Sequence, residues 1–272
     1  MAQKLITNAR MYAVAPGAIA AWKSLFQWLN AETGIPLDVI DHAFPAKLSE
    51  LWGRPDLACT FMCGWPFVRT YPEGQILAAP VANAAFAEGR PVYCTHFVVH
   101  RDAPFETLED TFGRRFAYTI ADSHSGYNAP RHHLLPFREA RGKPLFSEII
   151  GPLTTPRRML EAIAAGATDV GPLDSYAYAL LQRHETALAE KTRVIASTAL
   201  VQAPAFVASR DTPREIVDRL RDALLSLGAR DGQQSLRDDL CITGFAGITA
   251  DGWSLAETWA QQVEAKGMIE IL

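Results

Sequence analysis

The residues best suited to chemistry lie in one run, Asp122-Ser123-His124-Ser125-Gly126-Tyr127-Asn128. Small hydroxyl side chains and a glycine lead from the end of a predicted strand into a predicted helix. The first backbone N–H groups of a helix have no acceptors within it, and the helix dipole adds partial positive charge there. With the Ser123 and Ser125 hydroxyls beside them, these groups make a site for an anion. The same residues also read as an ordinary N-cap, and the local pattern does not separate the two readings. Asp174 follows the apolar run Val170-Gly171-Pro172-Leu173 and precedes a helix beginning Ser175-Tyr176. It either caps that helix or pairs with a cationic part of a ligand, and an anion site opposite a lone carboxylate suits a zwitterion. Phe61-Met62-Cys63-Gly64-Trp65-Pro66-Phe67 reads as a strand closed by a tight, aromatic turn. There Gly64 lets a ligand approach the backbone, and Trp65 or Phe67 forms a wall or packs in the core.

No complete catalytic set accompanies these candidates. A nucleophile elbow needs a glycine two residues before its serine, and Asp122 stands before Ser123 without one. Dinucleotide, P-loop and H-E-x-x-H patterns are absent. His132 and His133 are adjacent, so on a helix they point about 100° apart and do not share a metal easily. His42, His96 and His124 lack a carboxylate at an obvious spacing and read as hydrogen-bonding residues. The cysteines are Cys59, Cys63, Cys94 and Cys241. On a strand, Cys59 and Cys63 lie about 13 Å apart, too far for a disulfide, and their spacing does not match a zinc pair. They read as buried apolar side chains. No metal and no cofactor are expected.

The elements that must position these residues alternate between strand and helix. Predicted strands cover Leu5–Tyr12, Pro36–His42, Leu57–Gly64, Ile76–Val81 and Val92–Val99. Pro16 opens a helix with Ile19, Trp22, Leu25, Phe26 and Leu29 on one face and Gly34 past its end. The pattern then repeats. A strand over Arg115–Ala121 precedes a helix from Gly126 to Glu139, and a helix at Pro156–Ala165 precedes a strand at Asp169–Leu173. A helix at Ser175–His184 and strands at Arg193–Thr198 and Phe206–Ser209 follow, and helices close the chain. Such alternation predicts mostly parallel sheets covered by helices on both faces, with ligands beyond the C-terminal strand ends. Val92–Val99 and Arg193–Ala208 are the candidates to cross between two lobes. The first lobe is then 1–93 with 206–272 and the second 94–205, with a hinged cleft that closes on a ligand.

Composition limits the partners. The chain has 272 residues, 49% hydrophobic and 21% charged, which is long enough for a core without staples. Lys and Arg number 26 against 30 Asp and Glu, giving a net charge of −4. A protein that mainly grips nucleic acid carries a basic patch, and only doublets such as Arg114-Arg115 occur here. No apolar run is long enough to span a membrane. No secretory leader is read at the N-terminus, which places the chain as written in the cytoplasm, or in the periplasm if a leader has been removed.

The sequence resembles the phosphonate- and phosphite-binding subunits of ABC transporters, within the type II periplasmic binding-protein superfamily. The resemblance rests on Asp122–Gly126 followed by Ala129-Pro130-Arg131, on Asp169–Tyr176, on Ala203–Val207 and on Phe61–Gly64. It implies an α/β fold of two lobes, each with a mixed sheet flanked by helices, joined by two crossover strands. It implies that Ser123, Ser125 and the backbone around His124 and Gly126 cradle a phosphonate-like oxyanion. Asn128, Thr95 and Tyr176 join the candidate contacts from the same lobe, and Asp174 meets an amino group where the ligand has one. Tyr12 adds a hydroxyl from the other lobe, with Cys63 and Gly64. An ABC permease is then a candidate partner. His124 departs from the small hydroxyl residue usual in the family at that position.

The expectation is therefore a solute-binding protein for a small anionic or zwitterionic ligand, without catalysis. The alternative is a cytosolic enzyme on the same fold, similar to those of menaquinone or thiamine-pyrimidine biosynthesis. It would use His42, His96, His124 or Cys63. A sensing module for a regulator has no DNA-binding segment in this chain to support it.

Overall fold

A computed structural model describes residues 5–267. The chain divides into two compact units. One holds the residues up to Val92 together with Gln202–Gly252. The other holds Tyr93–Val201 together with the residues from Trp253 onward.

In the first unit a five-stranded sheet runs in the order Leu37–Val39, Leu5–Asn8, Leu57–Met62, Ala205–Ala208, Gln75–Ile76. The first three strands are parallel, and Ala205–Ala208 runs antiparallel to both of its neighbours. Leu57–Met62 is buried at every residue, which is why it reads as a continuous apolar run rather than an alternating one. The helix Pro16–Thr33 starts on a proline and ends where Gly34 turns left-handed at φ 65°. Pro fixes the first-turn dihedral and Gly accepts the positive φ without a Cβ clash. Its buried stripe includes Ala18, Trp22, Leu25, Phe26 and Leu29, spaced three and four apart. Trp22 and Phe26 meet Phe61 and Phe206 of the sheet, and Phe61 stacks on Phe206 at 3.9 Å.

In the second unit the sheet order is Thr192–Ser197, Thr95–His100, Val170–Asp174, Arg115–Ala117, Glu148–Ile150. Thr95–His100 is antiparallel to both neighbours, and Arg115–Ala117 is parallel to both of its own. Phe97, Val99, Phe116, Leu134, Phe146, Val170 and Val263 pack in one core.

Four differences from the sequence reading bear on the site. The first strand stops at Asn8, and Tyr12 ends a short 3-10 turn, Arg10–Tyr12. Gly64–Thr70 is a helix rather than a tight turn; Pro66 sits in its first turn, where a missing N–H costs nothing. The strand expected over Val92–Val99 is broken at Cys94 into Val92–Tyr93 and Thr95–His100. The C-terminal helix Ser254–Ala265 groups with the second unit, not with the first as a 206–272 segment would have it: Val263 enters that unit's core.

Candidate ligand-binding site

The second unit gathers most of the predicted site. The strand Arg115–Ala117 runs out into a loop, and Ser123 then caps a single π-helical turn, His124–Asn128, which continues as the α-helix Ala129–Arg141. The sequence reading placed a helix from Gly126; the structure starts it two residues earlier and with wider winding. Ser123 Oγ accepts the Gly126 N–H at 2.9 Å. That bond uses a lone pair and leaves the hydroxyl proton for a second acceptor, so capping and anion binding are compatible here. The N–H groups of His124 and Ser125 stand ahead of any carbonyl of their own turn that could accept from them.

Two neighbouring strands hold the turn in place. Thr95 and Asp174 are cross-strand partners. Thr95 Oγ1 donates to the Ser125 carbonyl at 3.0 Å, while the Thr95 N–H is taken by Thr198 Oγ1 at 3.0 Å. Ser125 Oγ lies 3.5 Å from Asp174 Oδ2. That is the outer limit of a hydrogen bond, so the Ser125 proton is available to a nearer acceptor. Asp174 Oδ1 accepts the N–H groups of Tyr176 and Ala177, each at 2.9 Å. The capping role weighed for Asp174 is thus realised, and its second oxygen faces Ser125. Tyr176 is buried and enters the cluster through its backbone N–H.

Gly126 is required by close approach rather than by dihedral angle. A Cβ there would lie 1.8 Å from Thr119 Oγ1 and 2.9 Å from Thr119 Cβ. Thr119 in turn ties the turn to the next loop: its N–H donates to the Gly126 carbonyl at 3.3 Å, and its carbonyl accepts from Thr154 at 2.9 Å. Thr154 has φ 72°. A β-branched residue in that region is strained, and such strain persists only where surroundings enforce it.

The His124 side chain is buried at 3% exposure and turns away into packing. Its ring stacks on Trp259 at 5.6 Å and 20°, and its Nδ1 lies 3.1 Å from Asn128 Nδ2. Burial, and then the neighbouring His132, push its pKa down to about 3, so the ring is neutral at ordinary pH. It therefore adds no charge to the turn. Asn128, fully buried, donates from Nδ2 to the Ala256 carbonyl at 2.7 Å.

The remaining candidates lie in the first unit. Tyr12 is 1% exposed, edge-on to Phe61 at 4.8 Å, and its carbonyl accepts the Trp22 indole N–H at 3.1 Å. Cys63 precedes the helix Gly64–Thr70 as its N-cap, with no side-chain capping bond. A cavity of about 290 Å³ in this unit, bordered by Trp52, Met62, Tyr71 and Arg210, is lined by none of the predicted site residues.

The groups that a catalytic reading would use are occupied elsewhere. His42 Nε2 is 2.8 Å from the Lys47 carbonyl on the surface. His96 Nδ1 is 2.8 Å from Ser197 Oγ, and burial lowers its pKa. Cys94, a thiol the catalytic reading did not name, lies 3.8 Å from His96 Nδ1; its pKa is raised first by burial and further by the Asp174 charge, so it stays protonated. No group of three or more His, Cys, Asp or Glu side chains that could hold a metal occurs among the described residues. Sequence reasoning missed Thr119, Thr198, Ala256 and Trp259. All four act through tertiary contacts with residues 7 to 135 positions away, and no local motif announces them.

Two α/β units, each with a mixed sheet flanked by helices, have the architecture of the periplasmic binding-protein fold. The chain belongs to the family described as "ABC transporter, phosphonate, periplasmic substrate-binding protein", whose model matches residues 15–253. This is a family of substrate-binding proteins, not of enzymes, and the enzyme alternative has no support. Solved structures agree on the fold. A binding-protein component of an ABC phosphonate transporter from Pseudomonas aeruginosa is 18% identical, with TM-score 0.80 over 97% of this chain and 89% of that one. A protein from Prochlorococcus marinus solved with methylphosphonate is 14% identical, with TM-score 0.78 over 96% of this chain and 98% of that one. A Xanthomonas citri protein solved with ATP is 17% identical, with TM-score 0.63 over 99% of this chain and all of that one. Nothing among curated proteins matches the chain by sequence. No helix among the described residues is long and apolar enough to cross a membrane.

Proposed function

We propose that the solute is a small phosphorus oxyanion of the phosphonate class, bound at the turn His124–Asn128. The observation that carries this reading is the donor set at Ser123–Gly126. It offers two hydroxyl protons and the leading N–H groups of a helix, and none of Ser123, His124, Ser125 and Gly126 itself carries a positive charge. Such a set suits a compact anion with several acceptor oxygens. Asp174 beside Ser125 penalises a bare polyanion and favours a ligand that carries an amino group next to its oxyanion. Tyr12, Cys63 and Gly64 are proposed as contacts from the first unit, and an ABC permease as the partner that receives the solute.

Calorimetric titration with methylphosphonate, 2-aminoethylphosphonate, phosphite, phosphate, sulfate and malate tests this. A phosphorus oxyanion should bind and the carboxylate should not. Ser125→Ala should weaken binding about 10- to 100-fold, since a hydrogen bond to a charged group contributes about 1.5–3 kcal/mol. Preference for malate, or unchanged affinity in Ser125→Ala, refutes the assignment.

A further inference from the structure

The turn His124–Asn128 is π-helical, a geometry that is rare and rarely self-supporting. Something must hold it. Ser123 and Thr95 fix its start. Thr119 and Asp174 brace its middle, and its C-terminal end is held by the helix Ser254–Ala265, more than a hundred residues later in the chain. Asn128 Nδ2 donates to the Ala256 carbonyl on the first turn of that helix. A carbonyl only accepts, so this bond fixes which way the Asn128 amide faces. The second Nδ2 proton then points at His124 Nδ1, 3.1 Å away, and the proton of the neutral ring sits on Nε2.

The ring itself begins a stack. His124 lies on Trp259, and Trp259 lies on His132 at 4.6 Å with the planes 4° apart. His132 Nε2 is held in turn by Gln262 Oε1 at 2.8 Å. Trp259 is 6% exposed and stands between the first residue of the turn and the first helical turn that follows it. Buried atoms at this joint, His124 Nε2 and Asn128 Oδ1, have no hydrogen-bond partner among the described residues. An apolar joint would pack as tightly without those unpaired groups. Their presence is explained by placement of the turn rather than by stability alone.

We propose that Trp259 is a positioning residue for ligand binding: through the His124–Trp259–His132 stack, the C-terminal helix sets the geometry in which Ser123–Gly126 meets the anion. The proposal rests on the site assigned above. It carries a reciprocal consequence, because a ligand that favours the ordered turn must also favour the docked helix, by the same factor.

The test compares Trp259→Leu, which keeps an apolar side chain but removes the stacked ring, with Trp259→Phe, which is also smaller than Trp but restores an aromatic face. In the ligand-free protein, amide hydrogen exchange across residues 124–128 should quicken at least tenfold in Trp259→Leu and stay near wild type in Trp259→Phe. Methylphosphonate affinity should fall at least tenfold in Trp259→Leu and recover in Trp259→Phe. Added methylphosphonate should slow exchange in residues 254–265 of the wild type. Unchanged exchange in the turn of Trp259→Leu overturns the proposal, as does wild-type affinity in that variant or an equal loss in both variants. Failure of the wild type to bind any phosphorus oxyanion counts against the assigned ligand alone, because the ligand-free exchange comparison still decides the role of Trp259.

Discussion

Gly126→Ala is the sharpest perturbation the structure offers. The added Cβ would lie 1.8 Å from Thr119 Oγ1, 2.9 Å from Thr119 Cβ and 3.1 Å from Ser123 Oγ. The first contact is more than 1 Å inside van der Waals distance. Thr119 is buried and, being β-branched, has few rotamers, and no rotation of Oγ1 relieves the 2.9 Å contact to its own Cβ. The backbone of the turn must therefore shift. Overpacking of this kind costs about 1–3 kcal/mol, while Gly→Ala returns about 0.4–1 kcal/mol by restricting the unfolded chain. The net loss is about 1–2 kcal/mol, or roughly 2–8 °C in Tm for a chain of this size. Anion affinity should fall further than stability, by at least tenfold, because the shift displaces the N–H groups that Ser123 aligns. Thr119→Ala removes the closest contact and leaves those at 2.9 and 3.1 Å. The double variant should regain more than half of the lost stability, a coupling of about 0.5–1.5 kcal/mol in a double-mutant cycle. Thermal unfolding and calorimetric titration of the four proteins measure both quantities. A Gly126→Ala protein within 1 °C and twofold in affinity of wild type would show that the turn is plastic and that the close packing under it is irrelevant to binding.

Three further outcomes follow from the same structure. The His124 pKa, lowered from 6.5 to about 3, means that the unfolded chain takes up a proton below about pH 6.5 while the native ring does not; stability is therefore present above that range and lost as pH falls, by about 2 kcal/mol between pH 7 and 5. His132 and His133, also lowered by burial, act in the same direction; equal Tm-against-pH slopes for wild type and His124→Asn over that interval would refute the attribution. Asp174→Ala strands the N–H groups of Tyr176 and Ala177 and should cost about 0.5–2 kcal/mol by chemical denaturation, while narrowing any preference for 2-aminoethylphosphonate over methylphosphonate; an unchanged preference removes the carboxylate from recognition. Phe61→Ala empties the centre of the Tyr12, Trp22 and Phe206 cluster and should cost about 3–5 kcal/mol, with a loss below 1 kcal/mol contradicting the packing described.

Much of the architecture was legible because its signals are local. Pro16 and Gly34 bracket a helix whose apolar stripe repeats every three and four residues, and the structure starts and stops it at those residues. Ser175–His184 is predicted to the residue for a similar reason: Asp174 is a strong cap for the helix that follows it. The family resemblance, carried by Asp122–Gly126 and Asp169–Tyr176, correctly anticipated a binding protein rather than an enzyme. Local signals failed where two of them conflict. Gly64 and Pro66 are turn residues by type, yet Pro within a first helical turn is harmless, and a helix formed instead of a turn.

What the sequence by itself determined is the set of donors: hydroxyls, a glycine and a helix start, arranged within six residues. Covalent spacing puts these groups together in any fold that keeps the strand-to-helix junction. What only the tertiary structure decided is how that junction is held. Whether Gly126 tolerates a side chain depends on Thr119, seven residues away; whether His124 faces ligand or core depends on Trp259, 135 residues away. Such contacts are selected by packing among the whole chain's surfaces, and no window of sequence contains both partners together with the competing ones they exclude.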